Sequence, residues 1–214
     1  MKDLSLQAIC EGMIAIRHNA SELLKDAELL YQNSRISRSY ALSYVACEEA
    51  GKLSILLGAA TQIVLGIPVD WKVTGKRFRS HDSKASQFMG LASAVPLIEE
   101  AVAAEKKAID VEDLFMKAAA GVAVGPALFR YRNASMYCDF EDGSFVTPDE
   151  RINASMAEQM IKFAKQQITA ANVLLASSAE ETAANIAKRT RRDRYELVMS
   201  LVSKFAQSPM PPRR

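Results

Sequence analysis

Histidine is nearly missing from this chain, with two among 214 residues. That scarcity excludes a histidine-rich metal centre. No Glu-x-x-His pair exists to build the di-metal site of helical bundles. Glycine and proline are also few, nine and seven, so the commonest helix interrupters are rare. The three cysteines, Cys10, Cys47 and Cys138, are odd in number and far apart. They form neither a disulfide framework nor a metal knuckle, and each is expected to be a small core residue in a reducing compartment. There is no Walker A sequence, dinucleotide fingerprint, HExxH or GxSxG. No signal peptide is evident, so the Asn-Ala-Ser triplets at Asn19, Asn133 and Asn153 read as chance rather than glycosylation sites. Leu53 to Val69 lacks charge over 17 residues but falls short of a membrane span of ~20 and contains Gln62 and Pro68. A cytoplasmic protein with no membrane partner, no metal and no cofactor is expected.

What is present is helical periodicity. Residues 3–31 repeat apolar side chains at helical spacing, from Leu4, Ile9 and Met13 to Leu24, Ala27 and Leu30. His18, beside Arg17, reads as a surface histidine. A second helix is expected over 36–66, ending near Gly66 and Pro68. Residues 70–84 read as a connection into a helix bearing Phe88, Met89 and Leu91. A further helix follows Pro96, and another covers 111–136, with a small-residue middle (Ala118 to Gly125) and a kink at Pro126. Asp139 to Thr147 is the non-helical stretch, where Asp142-Gly143 could turn a short hairpin. Thr147-Pro148-Asp149-Glu150 has the residues of a helix start, and Ser178 to Glu181 repeats the capping spacing for a last helix over 179–207. The expectation is an all-α, up-down bundle of six or seven helices in one domain, 1–207, with a disordered tail over 208–214.

The chain is organised around Ser39 to Leu57, which is apolar nearly all the way round as a helix and so marks an enclosed segment. Glu48, Glu49 and Lys52 nevertheless sit in its middle, within one arc of about 100°. Both carboxylates have the spacing at which opposite charges meet on a helix. The cluster reads either as an internal ion pair that locks helix register or as part of a site. The net charge of +2 is too small to declare a nucleic-acid binder, but its distribution is uneven. Lys72 to Lys84 and Lys188 to Arg194 each hold five Lys or Arg against one Asp, which attracts phosphate or forms a solvated helix face or terminus.

Two further groups of residues could carry chemistry. In Arg77 to Lys84, His81 and Lys84 share one side of a helix, placing a titratable imidazole among cations such as Arg79. In Phe129 to Tyr137, Arg130, Arg132 and Asn133 could hold a phosphate. The alternatives are a solvated helix start capped by Ser80 or Asp82, and cations that favour a helix C-terminus.

The run Ala46-Cys47-Glu48-Glu49-Ala50-Gly51-Lys52, then Phe78-Arg79-Ser80-His81-Asp82-Ser83-Lys84, then Arg132 through Phe140 with Pro148 after it, resembles the AbiV abortive-infection proteins of bacteria. That group is similar to the wider HEPN superfamily of helical, usually dimeric domains, and the resemblance spans roughly residues 20–165. It implies phage defence and action on RNA or translation. For active HEPN members it implies a metal-independent endoribonuclease whose Arg, polar residue and His come from both chains of a homodimer. Arg132 and Asn133 match the first two places, and position 137 holds Tyr instead of His. A phenol with an unperturbed pKa near ~10 can hydrogen-bond phosphate but transfers protons poorly at neutral pH. On the catalytic reading Arg132, Asn133, Tyr137 and His81 carry the reaction. On the other, the protein is a non-catalytic helical module that engages a protein or nucleic acid. There Glu48, Glu49, Lys52, Arg79 and Lys84 bind or staple the bundle, and a phage protein or antitoxin is the partner.

Overall fold

A computed structural model describes residues 3–80, 130–172, 174–193, 195–197 and 199–200. Helix α1 (Leu6–Gln32) starts at Ser5, whose hydroxyl accepts the Ala8 N–H at 3.1 Å. Its buried residues, among them Ile9, Met13, Ile16, Ala20, Leu24 and Ala27, recur at the three-to-four spacing expected of one helix face. A short turn through Asn33 and Ser34 leads into α2 (Ile36–Val64), buried on most sides. Ser34 has φ 59°, and Gly66, with φ 69°, follows the end of α2.

Helices α1 and α2 run antiparallel, because the start of one meets the end of the other. Ile9 and Met13 share a cluster with Leu53 and Leu56, whereas Ala20 and Leu24 share the other with Tyr40 and Tyr44. The connection expected over 70–84 instead contains helix α3 (Trp71–Arg79), because Asp70 accepts the Val73 N–H at 2.9 Å and caps it. His81, Lys84, the small-residue stretch Ala118 to Gly125 and Pro126 lie outside the described residues.

Arg130 to Ala134 is helical. Strands β1 (Asp139–Glu141) and β2 (Ser144–Val146) then form the expected hairpin, with Phe140 opposite Phe145. Asp142 (φ 48°) and Gly143 (φ 85°) both take the left-handed conformation that a tight two-residue hairpin turn requires.

The helix start at Thr147 produces a single turn, α4 (Pro148–Arg151), rather than a long helix. Ile152 is extended and 3 % exposed, and its side chain enters the core beside Tyr40 and Tyr44. The chain restarts at Asn153, which accepts the Met156 N–H at 3.0 Å and opens α5 (Ala154–Ala171). That helix packs on α1 and α2 through Ala157, Met160 and Ala164. Ser178 caps α6 (Ala179–Arg189), which covers the opposite end of the α1–α2 pair through Ile186. The helix expected over 179–207 is broken at Thr190, whose backbone is extended and whose hydroxyl donates to the Ile186 carbonyl at 2.8 Å. The result is an all-α bundle with one small hairpin.

Candidate functional site

The site grows from the polar seam of α2. Tyr40, Ser43, Tyr44 and Glu48 recur at three-to-four spacing and all are buried, so an otherwise apolar helix carries an internal polar stripe. Burial pushes the Tyr44 phenol well above its usual range. The Glu48 carboxylate one turn away adds to that, while the positive Arg132 pulls it down. Tyr44, Glu48 and Arg132 therefore share one electrostatic neighbourhood, although Arg132 lies far away in sequence.

Arg132 sits in the middle of the helical stretch 130–134. Its guanidinium donates to Asn133 Oδ1 at 3.3 Å, and its carbonyl accepts the buried Ser135 hydroxyl at 2.6 Å. A cleft of about 250 Å³ lies over it, lined by Val45, Met136, Tyr137 and Arg38 among others. Arg38 donates to the Met136 carbonyl at 3.3 Å, which ties the start of α2 to this segment. A wider groove of about 770 Å³ is lined by Arg130, Tyr131, Asn133, Tyr137, Cys138 and Arg151, together with Asp139 and Glu141. The two acids are balanced by Arg151, which lies 2.9 Å from Glu141 and 3.7 Å from Asp139. Tyr137 borders both spaces and is 65 % exposed.

The structure thus brings Arg132, Asn133 and Tyr137 together, and it adds Arg38 and Tyr44. Sequence reasoning passed over both. The available signal was the repeat of Tyr40, Tyr44 and Glu48 on one face of an enclosed helix. Arg38 gave none, since only the folded chain carries it to Met136.

Glu48, Glu49 and Lys52 do not act as one cluster. Glu48 points inward at 4 % exposure. Lys52 pairs with Glu49 at 2.5 Å, with side chains 20 % and 16 % exposed, and its ammonium lies 5.3 Å from the centre of the Phe78 ring. The first two groups of the sequence therefore meet at Lys52 and Phe78, while Arg79 is exposed at the end of α3. Cys10 and Cys47 are buried as expected, but Cys138 is exposed because it immediately precedes the hairpin at the groove.

Among the described residues no group of three or more His, Cys, Asp or Glu could hold a metal ion, and no helix is long and apolar enough to cross a membrane. No curated protein and no solved structure matches the chain. A family model described as AbiV, of the HEPN type, matches residues 8–169. That match takes in all of α2, the Arg132 segment and the hairpin, and nearly all of α1 and α5. With well over half of its length covered, the chain belongs to the AbiV family of HEPN-type proteins.

Proposed function

We propose that this protein defends bacteria against phage by abortive infection, acting on RNA at the cleft around Arg132. The observation that carries the proposal is the placement of Arg132. It is half-buried beside Tyr44 and Glu48, yet it lines a cleft whose rim carries Tyr137 and Arg38. A guanidinium held in this way is preorganised to meet a phosphate, and its fork matches two phosphate oxygens. In cleavage, the RNA 2′-oxygen attacks phosphorus as it loses its proton, and the bond to the 5′-oxygen breaks as that oxygen gains one. Arg132 stabilises the charge on the pentavalent phosphorane, and Asn133 orients the phosphate. Tyr137 or His81 assists the 2′-hydroxyl or the leaving oxygen. The composite HEPN-type site implies a homodimer with two Arg132 regions facing each other.

Incubation of the purified protein with total RNA in the absence of metal tests this. Arg132→Ala abolishes cleavage and growth arrest, Tyr137→Phe weakens both, and Tyr137→His raises cleavage by supplying an imidazole that titrates near neutral pH. Unchanged cleavage in all three variants removes the ribonuclease reading.

The buried Glu48 favours a second reading. If Arg132 serves chiefly as its counter-charge, the cleft binds RNA or a protein such as a phage component or antitoxin without cutting. Arg132→Ala then lowers the melting temperature and binding together, in a protein that shows no cleavage to lose.

A further inference from the structure

At the opposite end of the α1–α2 pair, a cleft of about 480 Å³ lies between α2 and two elements that follow the matched residues, α6 and the segment after Thr190. Its walls are apolar, formed by Leu57, Leu174, Ile186 and Met199. The far wall is held in place by two bonds to the end of α2. Gln62 Nε2 donates to the Tyr195 hydroxyl at 3.2 Å, and Arg192 donates to the Leu65 carbonyl at 2.7 Å. Gly58 lies on the cleft's α2 side, and a Cβ added there would meet no atom within 4 Å. A glycine inside a helix weakens it relative to alanine, and here neither a close neighbour nor a positive φ demands one. What the glycine does provide is open space above an apolar surface.

Arg189 and Arg191 stand at the mouth, within the basic run that the Arg132 site does not use. Arg191 is held by Asp193 through two bonds, of 3.2 and 2.9 Å. Arg189, exposed at the end of α6, is thus the guanidinium placed to meet an incoming anion. An open apolar trough with a cation at its mouth fits a ligand with an apolar body and one acidic head. We infer that this cleft binds an anionic amphiphile of the fatty-acid type, independently of the RNA reading.

Titration of the full-length protein with laurate, below its micelle concentration, tests the inference by calorimetry. Laurate should bind saturably, and dodecanol, which lacks the charge, at least about tenfold more weakly. Arg189→Gln, at an exposed position, should weaken laurate about tenfold and leave dodecanol unchanged. Gly58→Leu should fill the trough and abolish binding of both, with the melting midpoint maintained. Vesicles of phosphatidylglycerol offer the same chemistry from a bilayer. Their capture by wild type but not by Gly58→Leu assigns a membrane source, and laurate binding without capture assigns a free acid. Equal affinity for laurate and dodecanol, or wild-type binding by either variant, would overturn the inference. Arg189→Gln keeps the test decisive even if Gly58→Leu fails to fold.

Discussion

Glu48 and Glu49 are sequence neighbours, but a helix turns about 100° between them and gives them different surroundings. Glu48 faces Tyr44 in the interior, and Glu49 faces Lys52 near the surface. Lys52→Met should therefore cost only about 1 kcal/mol, the scale of a partly exposed ion pair with a cation–π contact. Glu48→Ala should cost more, about 3 kcal/mol, because it strips a charge from a buried polar cluster. Chemical denaturation of both variants checks the order, and equal losses would place the two carboxylates in one environment. The cysteines divide in the same way. Burial pushes the thiols of Cys47 and Cys10 up, with smaller contributions from Glu48 and Glu11, and Cys138 is exposed. A disulfide reagent should label one thiol in the native protein and all three after denaturation. The sequence offered the three cysteines as equivalent core residues. Only the hairpin that follows Cys138 distinguishes it, and no local pattern announces which face of a loop meets solvent.

At the scale of elements, the segment from Thr147 to Asn153 holds two helix-start signals in succession. Glu150 accepts from the Thr147 N–H at 2.6 Å and from its hydroxyl at 2.8 Å, and Asn153 caps α5 separately. The sequence marks only the start at Thr147, and the cap at Asn153 emerges in the folded chain. Burial of Ile152 decides, since drawing that side chain into the core requires extended backbone between the two starts. Asn153→Ala should cost about 1 kcal/mol, because it removes the cap of a long core helix. The Thr147 bonds hold the Glu150 carboxyl below its usual value near 4.5. A depressed folded-state pKa means that the stabilisation is present above that value and is lost as pH falls through the folded one. Glu150→Gln should thus flatten the drop in melting temperature between neutral pH and the acid range. An unchanged acid profile would show that the cap contributes nothing. The long helices α1 and α2 were legible because their apolar periodicity continues over many turns. The break at Ile152 was not, because it depends on burying one side chain in the folded core, and no local signal marks the one at Thr190.

For the whole molecule, the family match and the fold fix the frame, and the number of chains in a working site decides the mechanism. Arg132 and Asn133 stood out in the sequence, whereas the Tyr44 and Arg38 contacts required α2 to be laid against a segment far along the chain. A composite site makes a specific demand on the assembly. Light scattering at micromolar concentration should show twice the chain mass, and a monomer there would remove the composite model. Mixing then tests function. Exchange of equal amounts of wild-type and Arg132→Ala chains gives dimers of which about a quarter carry two intact arginines, and about half the chains remain wild type. If cleavage needs Arg132 from both chains, activity per total protein should fall to about a quarter of that of the wild type. If each chain works alone, it should fall only to about a half. Chemical cross-linking of the dimer before mixing blocks exchange and should bring the composite case back to about a half. A mixture that stays at about a half with or without cross-linking would show that one chain holds the whole site, and the second copy would then serve stability alone.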